Sequence, residues 1–270
     1  MEVGTSKQPN LLKKDELYFE LLRQKDFARL DTNNQVYFDY TGGNLYPESL
    51  IDQHYDYLKN KVLGNPHSTN PTSQLSSQKV EEARNKVLTY FNAQDDYFCV
   101  FTANASAALK IVGECYPFQE DSSLVLFADN HNSVNGLREF CKSKKASYEY
   151  CPMFYDNLRV DEQRLNEILV RHSARKEKLL AFPAQSNVSG VKHDLKWIDK
   201  AQKLGWDVLL DAAAYVPTSP LDLKAHPANF VCVSFYKIFG FPTGIGCLFI
   251  RKDTFKKLQK PWFAGGTVAF

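Results

Sequence analysis

The sequence predicts an α/β protein with a mainly parallel sheet flanked by helices. Two observations carry this. From residue 97 onward, apolar runs of strand length alternate with stretches of helical period, the sign of parallel α/β architecture. Several of those runs also end beside polar or charged residues, where open parallel sheets bind ligands. A chain of 270 residues, 44% of them hydrophobic, can bury one large core, so one main domain is expected.

In chain order, residues 11–30 read as an amphipathic helix, VYFDYT (36–41) as a short strand and 48–62 as a second helix. GNPHSTNPTSQLSS (64–77) reads as a turn-rich loop, because its Pro, Asn and Ser residues break a helix. A strongly periodic helix is expected at 79–91. Strands are expected at 97–102, 123–128, 179–184, 207–211, 230–235 and 245–250. Helices are expected at 104–115, 132–143, 161–172 and 194–204, each with enough polar positions to keep one face in water, and a short one at 253–259. No repeat or linker divides the chain, which reads as a helical arm (1–35) and a ligand-binding domain (36–270). The ending PWFAGGTVAF stops on an apolar residue just after a Gly-Gly turn. The domain is therefore expected to be cut short, with an uncovered apolar face around Trp262, Phe263 and Phe270.

Lys and Arg (33) nearly balance Asp and Glu (31), so charge implies neither a nucleic-acid partner nor a polybasic membrane patch. There is no signal-like apolar run and no stretch near the roughly 20 residues that span a bilayer, and a cytoplasmic protein without a membrane partner is expected. The six cysteines, Cys99, Cys115, Cys141, Cys151, Cys232 and Cys247, lie far apart without metal-ligand spacing. They read as small buried hydrophobes in a reducing compartment, and no metal is expected.

In FVCVSFYKIFGFPTGIG, Lys237 follows mostly apolar residues and precedes a Gly/Pro-rich loop, surroundings that disfavour its charged form and suit an amine nucleophile. Ser234 at the same strand end can donate to a phosphate. Asp211 in DVLLD, alone, reads as a turn or cap residue; about two dozen residues before an S-x-x-K it gains weight. In FTANASAALK a helix begins near Asn104, so the N–H groups of Asn104, Ala105 and Ser106 can face an anion, although simple capping by Asn104 explains the same pattern. His131 lies just past a strand and can stack on an aromatic ring and exchange protons, or stand in water as a loop histidine. Gln185 and Asn187 in FPAQSNVSGV can bond a phenolic oxygen.

These segments, with FDYTGGNLYPESLI, GNPHSTNP, DNHNSV, LLDAAAYVPTSPLDL and FAGGTV, resemble the class V aminotransferase family of fold-type I pyridoxal phosphate enzymes, which includes the cysteine desulfurases. The branch they are most similar to is the aminotransferase-like part of molybdenum cofactor sulfurases, over residue 36 to the end. The resemblance implies a pyridoxal 5'-phosphate-binding large domain over 36–270 without the C-terminal small domain. It implies Lys237 as the Schiff-base lysine and Asp211 on the pyridine nitrogen. Ser234, Asn104, Ala105 and Ser106 would hold the phosphate, His131 would stack on the ring, and Asn187, with Gln185 nearby, would meet the ring oxygen. Ala214 and Tyr236 stand where many cysteine desulfurases have glutamine and histidine, departures that fit the molybdenum cofactor sulfurase branch better.

The implied activity is a cysteine desulfurase or sulfurtransferase that mobilises sulfur from cysteine, with molybdenum cofactor as a sulfur acceptor and a homodimer as the full-length assembly. In the family, the persulfide-bearing thiol and the substrate-gripping arginine lie in the small domain. Two other readings stay open: a class V aminotransferase or lyase acting on another amino acid, and a non-catalytic cofactor-binding fragment.

Overall fold

A computed structural model describes residues 9–66, 68–241 and 243–262. Helices α1 (Pro9–Asp26), α2 (Ala28–Thr32), α3 (Glu48–Asn60) and α4 (Pro71–Tyr90) come first. Strands and helices then alternate as β1 (Tyr97–Thr102), α5 (Ala105–Cys115), β2 (Ser122–Phe127), α6 (Asn132–Asn135), α7 (Leu137–Ser143), β3 (Ser147–Cys151), α8 (Glu162–Arg171), β4 (Glu177–Pro183), α9 (Lys196–Lys203), β5 (Asp207–Asp211), β6 (Phe230–Ser234), α10 (Tyr236–Phe239), β7 (Gly246–Arg251) and α11 (Lys252–Phe255).

The strands form one seven-stranded sheet in the order β1-β7-β6-β5-β4-β2-β3. From β6 through β3 every pairing is parallel, and β7 runs antiparallel to both β6 and β1. Strands β2, β5 and β6 are buried at every position, as strands covered on both faces must be. Alternation divides their side chains between two cores. Leu124, Leu126, Leu209 and Phe230 pack on the α5–α7 side, and Val125, Phe127, Leu210 and Val231 pack with Trp197 of α9 and Leu165 of α8 on the other.

Several expectations need correction. VYFDYT is not a strand: both sheet edges lie elsewhere, and Val36 and Phe38, which gave the apolar pattern, are exposed. The expected loop 64–77 is helical from Pro71, because Asn70 caps α4 by accepting the Ser73 N–H at 3.0 Å and proline is tolerated in the first turn. The helix expected at 132–143 is two short ones joined at Gly136, the helix expected at 11–30 breaks at Phe27, and that at 253–259 shortens to Lys252–Phe255. Strand β3 was not expected; SYEYC is short and carries Glu149 in its middle, which an edge strand allows. Of the three residues expected to form an apolar face, Trp262 is exposed, while Phe263 and Phe270 lie outside the described residues. Among the described residues no helix is long and apolar enough to cross a membrane.

Phe249 sits in the middle of β7, fully buried, with the Phe91 ring at 5.0 Å and the Tyr97 ring at 6.4 Å. Phe249→Ala is expected to lower stability by about 3–5 kcal/mol in urea unfolding, the cost of a large buried cavity. Tyr148→Ala on β3, where the ring is partly exposed, should change it by less than about 1 kcal/mol.

Candidate active site

Strands β2, β4, β5 and β6 share one direction, and β1, reversed twice through β7, shares it too. Their C-terminal ends therefore form one rim. Asp211 is the last residue of β5 and Ser234 the last of β6; Asn104, His131, Gln185 and Asn187 follow β1, β2 and β4. With Ala105, Ser106 and Lys237 of α10, all of them line a single cleft. Ala214 and Tyr236 line it as well.

At one end of the cleft is the start of α5. Asn104 caps that helix, its Oδ1 accepting the Ala107 N–H at 2.9 Å. The Ala105 N–H does not point freely at an anion as expected: it donates to Ser234 Oγ at 2.9 Å, because the β6 hydroxyl lies within reach. A hydroxyl that accepts this bond keeps its own proton to donate into the cleft. Gly246 makes the approach possible. A Cβ there would lie 2.5 Å from the Val233 carbonyl oxygen and 2.8 Å from Asn104 Cα, so only glycine lets β7 pass beneath the helix start. The Ser106 and Ser133 hydroxyls meet at 2.5 Å across the same end. Hydroxyls and a helix N-terminus make this end suitable for an anion.

The other end is carboxylate and imidazole. Asp211 is buried, and one oxygen accepts the Ala213 N–H at 3.1 Å. Burial raises its pKa above the ordinary value of 3.8; the Ala213 bond and the nearby charges of Lys237 and His131 oppose this without cancelling it. A cationic ring nitrogen beside Asp211 would offset the cost of its charge. His131 is exposed and caps α6, its Nδ1 accepting the Ser133 N–H at 3.1 Å, which leaves Nε2 for proton exchange. Gln185 Oε1 is buried in the same cleft with no hydrogen-bond partner, an acceptor waiting for a donor. The cleft thus fits a ligand with an anionic group at one end and a protonated aromatic nitrogen at the other.

Sequence reasoning missed the support beneath this rim. His193 Nε2 lies 2.8 Å from Asp129 Oδ2, both side chains almost fully buried, and Asn130 Nδ2 donates to the Ala181 carbonyl at 3.0 Å. Together they tie the turn carrying His131 to β4 and the segment after it. Nothing in the spacing of Asp129 and His193 announces the pair. Ser133 could have been found, being a hydroxyl in the first turn of a helix that starts at a strand end.

Asp211 yields a test on the ligand-free chain. Its folded-state pKa lies above its unfolded value, so the folded chain holds this proton more tightly, and stability falls as pH rises through that window. The cost is fully present only above that raised pKa. Asp211→Asn, which can keep the Ala213 bond, should therefore be more stable than the parent in urea unfolding at pH 7, with the difference shrinking toward pH 4. A variant less stable at both pH values would overturn the assignment.

Residues 36–270 match the family model described as aminotransferase class-V. The chain is 38% identical to a molybdenum cofactor sulfurase of Arabidopsis thaliana over 283 residues, covering 92% of this chain and 34% of the relative. It is also 38% identical to the molybdenum cofactor sulfurase of Homo sapiens over 264 residues, covering 92% of this chain and 29% of the relative. It thus spans about a third of the length of the curated relatives it matches. Among solved structures, an apo cysteine desulfurase from Thermococcus onnurineus NA1 superposes with a TM-score of 0.80 at 24% identity, over 99% of this chain and 63% of that one, and so shares the fold. A sheet with its polar side chains gathered on one rim, and a family model matched from residue 36 to residue 270, lead to one conclusion: the chain belongs to the class V aminotransferase family.

Proposed function

We propose that this chain is the cofactor-binding part of a pyridoxal phosphate-dependent cysteine desulfurase or sulfurtransferase of the molybdenum cofactor sulfurase type. The family's cofactor is pyridoxal 5'-phosphate. The observation that carries the reading is the convergence on one cleft of an amine (Lys237), a buried carboxyl (Asp211) and a hydroxyl-lined helix start (Ser234, Ala105, Ser106). When bound, the cofactor supplies an electron sink for charge left on the substrate's α-carbon.

The chain's own groups then divide the work. Ser234 and Ser106 donate hydroxyls to the phosphate, while Asn104 and Ala105 fix the helix start that faces it. Asp211, its charge disfavoured by burial, holds a proton on the ring nitrogen by ion pairing. His131 would lie against the bound ring, with Nε2 left to pass a proton. Asn187 would donate its side-chain N–H to the ring oxygen, and the unpartnered Gln185 Oε1 beside it would accept a hydrogen bond. Lys237 would hold the cofactor through its amine, and the same amine stands where it could take the proton from the substrate's α-carbon.

The cysteine substrate rests on the names of the relatives, as does molybdenum cofactor as a sulfur acceptor. All six cysteines are free, and none lines the cleft. Burial pushes Cys141 and Cys151 up to about 12 and raises Cys115, Cys232 and Cys247 above the ordinary thiol range, opposite to what a sulfur-accepting thiolate needs; Cys99, lowered by its bond with Cys247, is buried away from the cleft. The accepting thiol in this reading is therefore none of the six. A cytoplasmic location and a homodimer complete the proposal; free, mostly buried thiols support the first.

Incubation with pyridoxal phosphate, borohydride reduction and peptide mapping should place the label on Lys237. A label on any other lysine would sink the assignment. Ser234→Ala should weaken cofactor binding by about 10- to 100-fold in a fluorescence titration, the loss of one hydrogen bond to a charged group.

A further inference from the structure

Lys237 stands on an unusually small support. Helix α10 has four residues, no side-chain cap and no buried residue. A single helical turn is not stable on its own, so its orientation must come from tertiary contacts. Those contacts lead to the irregular segment after Tyr40, nearly two hundred positions earlier in the chain. The Asn44 N–H donates to the Tyr236 carbonyl at 3.1 Å, and Asn44 Nδ2 donates to the Ile238 carbonyl at 2.6 Å. The two carbonyls belong to the residues on either side of Lys237. The same Asn44 uses Oδ1 to accept the Leu45 N–H at 2.8 Å, which fixes its own side chain.

The geometry at Gly240 shows how close the fit is. Gly240 ends α10 at φ +77°, and a Cβ there would fall 2.3 Å from the Asn44 carbonyl oxygen and 2.6 Å from the Tyr46 nitrogen. Both the positive φ and the contact demand glycine. Gly240 N–H also donates to the Tyr236 carbonyl at 2.8 Å, so that oxygen accepts two bonds, one from within the turn and one from Asn44.

We infer that Asn44 is a positioning residue for Lys237: it brackets the lysine by binding the carbonyls before and after it, and so holds the amine in the cleft. The inference rests on the proposed role of Lys237. It concerns a residue that touches neither the cofactor cleft nor the lysine side chain.

Two variants of the chain test it. Asn44→Ala removes both side-chain bonds, whereas Asn44→Asp keeps the acceptor for Leu45 and removes the donor to Ile238. Amine labelling of the cofactor-free chain at one fixed pH, read by peptide mapping, should show the labelling rate of Lys237 changed in both variants, with the exposed Lys196 and Lys203 as internal references that stay. Binding of pyridoxal phosphate should weaken by about two- to tenfold in both, as for loss of one hydrogen bond. An Asp variant that behaves like the parent would overturn the inference, since the side chain would then serve only Leu45; so would an unchanged Lys237 labelling rate in both. In the unaltered chain, amide exchange offers an independent check: the N–H groups of Asn44 and Gly240, joined through one carbonyl, should open at a common rate. Unequal rates would also overturn it. If the parent chain itself is not labelled by the cofactor at Lys237, the functional reading fails, which is a different result from a bracket that proves idle.

Discussion

Burial of the central strands on both faces is the constraint from which the rest of this structure follows. A strand such as β2 or β6, with no exposed residue, has no place along its length for an unpaired polar group. Chemistry can appear only where the strands end. Because the strands of the parallel block point one way, their ends coincide, and residues separated by more than a hundred positions meet without any local motif to unite them. The bond from the Ala105 N–H to Ser234 Oγ, which joins the start of α5 to the end of β6, is the tightest expression of this.

The two ends of the sheet are treated differently. At the N-terminal ends of the strands, most polar groups are paired: Asp207 accepts from Tyr116, Lys257 and Asn229, Asn229 also bonds Thr254 Oγ1, Gln202 and the Val208 N–H, and the buried Glu177 Oε2, without a hydrogen bond, has Lys257 at 3.7 Å. That network locks the segment after β7 to the sheet and has little capacity to spare. At the C-terminal ends, Gln185 Oε1 has no partner, and Asp211 keeps a raised pKa because one backbone bond and the nearby Lys237 and His131 side chains do not offset its burial. Unspent hydrogen-bonding capacity and an uncompensated carboxyl on one rim are what separate a binding end from a structural one.

Much of the frame was legible in the sequence. The buried strands announced themselves as apolar runs bounded by polar residues, and the S-x-x-K at the end of one of them pointed to Lys237. Less legible were the elements whose pattern depends on what lies beside them. VYFDYT has the composition of a strand but joins no sheet, and SYEYC has a weak pattern but pairs with β2 as an edge strand. Pro71, a breaker in the interior of a helix, sits harmlessly in the first turn of α4.

The sequence by itself determined the class of fold, the strands of the core and the residue types that the rim offers, because hydrophobic period and strand-end chemistry are local properties of the chain. Only the tertiary structure decided the rest: that β7 enters the sheet antiparallel over a glycine, that Asp129 and His193 pair beneath the His131 turn, and that Asn44 reaches the carbonyls flanking Lys237. Each of these is a contact between segments far apart in the chain. Such contacts are set by how the packed layers bring backbone and side chain within hydrogen-bonding distance, which no spacing along one strand or helix encodes.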